Sequence, residues 1–122
     1  MKTIDLMQLL RSVSDPVVRL DGQGRYMSMN AAAEQIFIRS GYDPIKLLGH
    51  AVWEVFPDLK GTGAENELRR ALEDDVPIVY EFYYPPEQRW YEAQGFPSSP
   101  GVLLIFKDIT ERKGEATTLG AR

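Results

Sequence analysis

His50 is the only histidine in the chain, so any imidazole chemistry, whether proton transfer or metal ligation, has to pass through it. Glu54 and Asp58 follow close behind, and a histidine with a carboxylate is the least from which an acid and base pair could be built. Such a pair would need to converge in a buried cleft, and no activated nucleophile or second base accompanies it. One imidazole with two carboxylates is also a poor transition-metal site without a second histidine. The chain has no cysteine, which removes thiolate nucleophiles, zinc–thiolate sites, disulfides and cysteine-linked chromophores. Trp53, Trp90 and Tyr91 could stack on a ring system or donate electrons to one, but no Gly-rich phosphate loop accompanies them. Aromatic residues in strands more often build a core.

Composition narrows the classes further. The 122 residues suit one domain, with 43% hydrophobic and 26% charged residues in the balance of a soluble globular protein. No apolar run approaches the roughly 18 residues that span a bilayer, so membrane insertion is not expected. Fourteen Lys and Arg against eighteen Asp and Glu give a net charge of −4, and the cations do not cluster, so nucleic acid is not an expected partner. The N-terminus lacks the basic start and apolar stretch of a signal peptide, and together with the absence of cysteine this points to the cytoplasm.

The elements that must position these residues follow from spacing and punctuation. Ile4, Leu6, Met7, Leu9, Leu10 and Val13 make an amphipathic helix that ends at the Asp15-Pro16 step. Residues 16–20 and 25–29 predict a β-hairpin around Asp21-Gly22-Gln23-Gly24, and Asn30 is placed to cap the following helix. Asp43-Pro44 starts a short helical turn that Gly49 can end, Val52 to Phe56 forms another stopped by Pro57, and Thr62 with Glu65 has capping-box spacing for a helix over 63–73. Residues 78–84, 89–96 and 102–107 are strands joined by short connections. The expected fold is α+β: a five-stranded antiparallel sheet with short helices on one face and an N-terminal flanking helix.

In this order the chain resembles the PAS sensory domains. The resemblance is carried by Asp15-Pro16-Val17-Val18, Asp21-Gly22-Gln23-Gly24-Arg25, Asn30-Ala31-Ala32-Ala33-Glu34, Leu48-Gly49-His50, Trp53-Glu54-Val55-Phe56-Pro57, Arg89-Trp90-Tyr91-Glu92 and Asp108-Ile109-Thr110-Glu111-Arg112-Lys113. It divides the chain into a flanking helix over 1–13, a sensory domain over 14–113 and a flexible tail over 114–122. The run Glu81-Phe82-Tyr83-Tyr84-Pro85-Pro86 is similar to that of PAS modules attached to bacterial signalling histidine kinases of two-component systems. The resemblance implies a signal-sensing, non-enzymatic module with a small internal pocket and a downstream effector domain in cis or trans. Haem-binding members generally carry a histidine on the long helix, which here has none, so haem is disfavoured. The covalent flavin of the light-sensing members is excluded by the missing cysteine, and noncovalent FAD is disfavoured.

Strand alternation assigns the faces. Val102, Leu104 and Phe106 point to the pocket, with Leu103 and Ile105 outward; Tyr91, Ala93 and Gly95 point inward, with Trp90, Glu92, Gln94 and Phe96 outward. For 78–84 alternation favours Ile78, Tyr80, Phe82 and Tyr84 inward, with a shift by one left open. Ala93 and Gly95 would leave room in the pocket. The expected lining is Trp53, Phe56, Leu68, Leu72, Tyr91, Ala93, Leu104 and Phe106, suited to a small apolar or aromatic ligand. Leu6, Leu9 and Leu10 are expected to pack over an outer face made of Trp90, Phe96, Leu103 and Ile105, within one chain or across a homodimer. Thr110 would cap the exit helix, and Asp108 would pair with an arginine or with backbone donors to relay a signal. Two alternatives stand beside this: a ligand-free dimerisation domain, and a small α+β enzyme built on His50 with Glu54 or Asp58.

Overall fold

Val17–Leu20 (β1) and Tyr26–Met29 (β2) form the hairpin that the glycine-rich turn predicts. The Asp21 carboxylate closes the turn by accepting the N–H groups of Gln23 (2.8 Å) and Arg25 (3.0 Å). Gly24 sits at φ +78°, and a Cβ there would stand 2.7 Å from the Trp53 ring, so both backbone and packing call for glycine. Arg25 was expected inside the second strand but makes only an isolated bridge to Ala51, which ties the hairpin to the helical layer. The computed structural model describes residues 15–114. The expected N-terminal helix with Leu6, Leu9 and Leu10, and the tail after Gly114, lie outside the described residues.

Asn30 joins strand to helix. Its side-chain oxygen accepts the N–H of Ala33 (3.0 Å), capping Ala31–Arg39 (α1), and also that of Val17 (2.9 Å), while its amide donates to the Asp15 carbonyl (2.9 Å). The three bonds hold the start of β1 against the start of α1. Pro44–Leu47 (α2) begins at Asp43, whose carboxylate accepts the Ile45 N–H, and Gly49 at φ +86° turns the chain away. Val52–Val55 (α3) is followed by a 3-10 turn at Pro57–Leu59. Gly63–Asp74 (α4) starts at Thr62, whose hydroxyl accepts the Glu65 N–H, while the Glu65 carboxylate reaches back to the Gly61 N–H (2.9 Å) and pairs with Arg69 (3.1 Å).

Ile78–Tyr84 (β3), Arg89–Ser98 (β4) and Gly101–Asp108 (β5) complete a five-stranded antiparallel sheet in the order β2-β1-β5-β4-β3. The first strand thus lies beside the last, with Val18 opposite Leu104 and Leu20 opposite Val102. Gly101 permits that approach, because a Cβ there would collide with the Leu20 carbonyl. The connection expected over 97–101 is shorter in the structure: pairing continues to Ser98 opposite Gly101, leaving a two-residue turn with a cis Ser99–Pro100 bond. Pro97 is tolerated in β4 because the β3 ladder stops at Gly95, so Pro97 faces a partner in β5 alone.

The alternation read from the sequence matches the faces. Val18, Leu20, Leu104, Val102 and Ile78 join Phe37, Leu47, Val52, Leu68 and Ala71 in the core between sheet and helices. On the other face Val17, Leu103 and Ile105 form a second, small buried cluster. Ile78 and Tyr84 are buried while Val79, Glu81 and Tyr83 are exposed, which resolves the β3 register in favour of Ile78, Tyr80, Phe82 and Tyr84 inward.

Candidate functional site

Between the inner face of the sheet and the helices lies a half-open cavity of about 960 Å³. Its walls come from α1 (Ala33, Ile36, Phe37), from the stretch between α3 and α4 (Phe56, Leu59), from the first turn of α4 and from β3, β4 and β5. β3 is an edge strand, so the cavity is bounded on one side by a strand with a single hydrogen-bonded neighbour.

Aromatic rings contribute a large share of the wall. Tyr26, Phe37, Tyr42, Phe56 and Tyr84 form a chain of edge-to-face contacts: Tyr26 to Phe37 at 5.8 Å and 81°, Phe37 to Tyr42 at 6.1 Å and 88°, Tyr42 to Phe56 at 5.6 Å and 62°, and Phe56 to Tyr84 at 6.3 Å and 76°. A second set joins Phe82 to Tyr91 in a stack at 5.8 Å and to Phe106 edge-on at 5.8 Å. Tyr84 donates to the Ser40 hydroxyl (2.8 Å), which in turn donates to the Ile36 carbonyl (2.7 Å), so β3 is bolted to the end of α1. Burial pushes the Tyr26 and Tyr80 phenols far above their ordinary range, with Tyr80, Tyr84 and Tyr42 adding to the effect on Tyr26; both remain neutral hydroxyls.

Of the eight residues expected to line the pocket, Phe56, Tyr91, Leu104 and Phe106 do so. Leu68 (1% exposed) and Ala93 (0%) lie in the packed core instead of the wall, and Leu72 packs against that core from its edge. Trp53 also stands outside the wall: its ring covers Gly24 and carries the Arg69 guanidinium at 4.2 Å. The room expected above Gly95 is filled, since a Cβ there would meet Ile78 Cγ1 at 2.6 Å and Leu104 Cδ2 at 3.1 Å. Sequence reasoning missed Tyr26, Phe37, Tyr42 and Tyr80, all of which line the cavity. Tyr80 was legible by alternation, whereas Tyr42 sits in a turn with no periodic signal.

The exit from β5 is anchored to β4 and β3. The Asp108 carboxylate accepts the Thr110 N–H (2.9 Å) and lies 3.6 Å from the Arg89 guanidinium, as expected of a residue seeking both kinds of donor. Thr110 does not cap the helical turn that begins there. Its hydroxyl instead accepts the Trp90 N–H (2.9 Å), because Asp108 has taken the capping role and Thr110 faces β4. Arg112 and Lys113 both pair with Glu81 on β3, at 2.8 and 2.6 Å, and the Lys113 ammonium lies 4.7 Å over the Trp90 ring. Those cations hold the Glu81 carboxyl below its usual range, the Lys113 hydrogen bond foremost. Tyr91, in the cavity wall, stands directly opposite Asp108.

On the outer face Leu103 and Ile105 are buried, while Phe96, Val79 and Tyr83 are exposed. His50 is exposed on the turn between α2 and α3 and is not part of the cavity wall. Glu54 accepts the Ala51 N–H at the start of α3, and Asp58 is exposed at the cavity rim, so the three groups do not converge in a buried cleft. Among the described residues no group of three or more His, Cys, Asp or Glu side chains is placed to hold a metal ion.

Residues 10–114 match the family described as the PAS fold. None of the curated proteins matches the chain at a significant level. Solved structures similar to it include a domain of an HTR-like protein from Haloarcula marismortui, with 23% identity and TM-score 0.61 over 80% of this chain and 100% of that one. The photoactive yellow protein domain of the sensor histidine kinase Ppr from Rhodospirillum centenum is similar at 17% identity and TM-score 0.61, over 86% and 96% of the two chains. A domain of a sensory box sensor histidine kinase/response regulator from Geobacter sulfurreducens follows at 19% and 0.57, over 88% and 94%.

Proposed function

The chain belongs to the PAS fold family, and we propose that it is a non-enzymatic sensory module that binds a small organic ligand in its internal cavity and relays occupancy to an effector such as a histidine kinase. Domains of this fold occur in sensor histidine kinases, as in two of the similar structures named above. One observation carries the reading. Along β3 the side chains of Tyr80 and Phe82 line the cavity, while Glu81 between them, on the opposite face, holds Arg112 and Lys113 of the exit segment. A ligand that moves β3 therefore moves the anchor of the segment that leaves the domain. Such a ligand shifts the balance only if it binds one arrangement better than the other.

The ligand is an organic molecule and not haem, a view supported by the position of the single histidine outside the cavity wall. A cytoplasmic location is part of the same proposal; separately, among the described residues no helix is long and apolar enough to cross a membrane. A homodimer through the outer sheet face fits the exposed Val79, Tyr83 and Phe96, and sedimentation equilibrium reads it directly, a monomer at all concentrations excluding it.

The relay is tested by hydrogen exchange with 2-ethylnaphthalene as the probe. Binding should change the exchange of residues 109–113 together with that of β3. Arg112→Ala/Lys113→Ala, which removes the clamp away from the cavity, should abolish the first change and keep the second. A probe that protects β3 while leaving 109–113 unaltered in the unmodified protein would sink the relay.

A further inference from the structure

Tyr26, Tyr42, Tyr80 and Tyr84 all line the cavity, and of these four only Tyr84 commits its hydroxyl, to Ser40. Tyr26 is 4% exposed and has no hydrogen-bond partner for its phenol oxygen. It is nevertheless not sealed, because among the described residues the only sealed side-chain nitrogen or oxygen without a partner is Arg19 Nε, on the other face of the sheet. Tyr26 is part of the cavity wall, so its unpartnered hydroxyl is available there. Tyr42 and Tyr80, also in the wall, bring two more uncommitted hydroxyls to the same region. Buried hydroxyls are rarely left unpaired, since each costs free energy until something accepts or donates a bond.

We propose, building on the sensory reading above, that the cavity recognises a neutral, planar aromatic ligand bearing a carbonyl-type acceptor, which the Tyr26, Tyr42 and Tyr80 hydroxyls bind. Planarity and aromatic character follow from walls of Phe37, Phe56, Phe82 and Tyr91. Neutrality follows from charge: among the described residues no Lys or Arg is part of the wall, and of the carboxylates near it Glu81 lies on the outer face with Arg112 and Lys113, Glu67 pairs with Arg70 and Asp58 is exposed. An anionic ligand would therefore meet no cation among the described wall residues. A cationic ligand would find no unpaired carboxylate inside the wall, since Glu67 pairs with Arg70 at 3.0 Å and Asp58 is exposed. What remains on offer is a set of neutral phenol donors. The volume of about 960 Å³ accommodates a fused bicyclic ring with room to spare.

Three probes of one shape decide it: 2-acetylnaphthalene, 2-ethylnaphthalene and 2-naphthoate, titrated by calorimetry into the full chain. The ketone should bind about tenfold tighter than the ethyl compound, as one or two hydroxyls gain an acceptor, and tighter than the carboxylate. Tyr26→Phe and, separately, Tyr80→Phe should each erase most of that ratio while leaving ethylnaphthalene affinity unchanged, which also reports that the variant has folded. Equal binding of ketone and ethyl compound would overturn the acceptor and leave the sensory cavity standing. Tightest binding of the naphthoate would overturn neutrality. If no probe binds, both this inference and the cavity reading fall.

Discussion

Asn30 shows how much one side chain decides here. Its oxygen serves two N–H groups from different elements and its amide a third partner, so it is at once a helix cap and a tether between β1 and α1. Asn30→Ala should lower stability by about 2–3 kcal/mol in urea unfolding, the sum of a lost cap and an orphaned Val17 N–H. Asn30→Asp keeps the acceptor, loses the bond to the Asp15 carbonyl, and should cost less. The cap was legible from Asn30 standing before Ala31-Ala32-Ala33. The tether was not, because Val17 is thirteen residues away and only the fold brings it within 2.9 Å.

At the scale of elements, β3 and the exit segment form one electrostatic unit. Glu81 is exposed and its carboxyl is held below the ordinary range by Lys113 and Arg112. A carboxyl whose folded pKa is depressed stabilises the folded arrangement fully above its unfolded value. That contribution is lost as pH falls through the folded value. The helical chemical shifts of residues 110–113 should therefore weaken as pH drops from about 5 towards 3, the range below the ordinary carboxylate value. Glu81→Gln should weaken them at neutral pH and flatten the dependence; an unchanged pH response in that variant would assign it to other carboxyls, such as Glu65 or Glu87, which are depressed in the same sense.

For the whole molecule the decisive contact is between the first strand and the last. β5 lies between β1 and β4, and at Gly101 the hairpin backbone at Leu20 and Asp21 leaves no room for a Cβ. Gly101→Ala should destabilise by about 3 kcal/mol in thermal or urea unfolding, because backbone and not a flexible side chain would have to move. A loss under 0.5 kcal/mol would show that the hairpin yields easily. The same arrangement makes β3 an edge strand, with the cavity on one face and the Glu81 clamp on the other.

The sequence by itself determined the five strands, the inward and outward residues of β4 and β5, and the punctuation of the helices, while the register of β3 waited for the structure. Those depend on local matters: a period of two, a capping side chain, a glycine that alone tolerates positive φ. It also pointed to Phe56, Tyr91, Leu104 and Phe106 as wall residues. Only the tertiary structure decided that Trp53 covers Gly24, that Ile78 fills the space above Gly95, and that Asp108 rather than Thr110 caps the exit. It alone gathered Tyr26, Tyr42, Tyr80 and Tyr84 from a strand, a turn and a second strand into one group of hydroxyls. Spacing along the chain reports which face a residue occupies; what it meets there depends on the neighbours that long-range pairing brings.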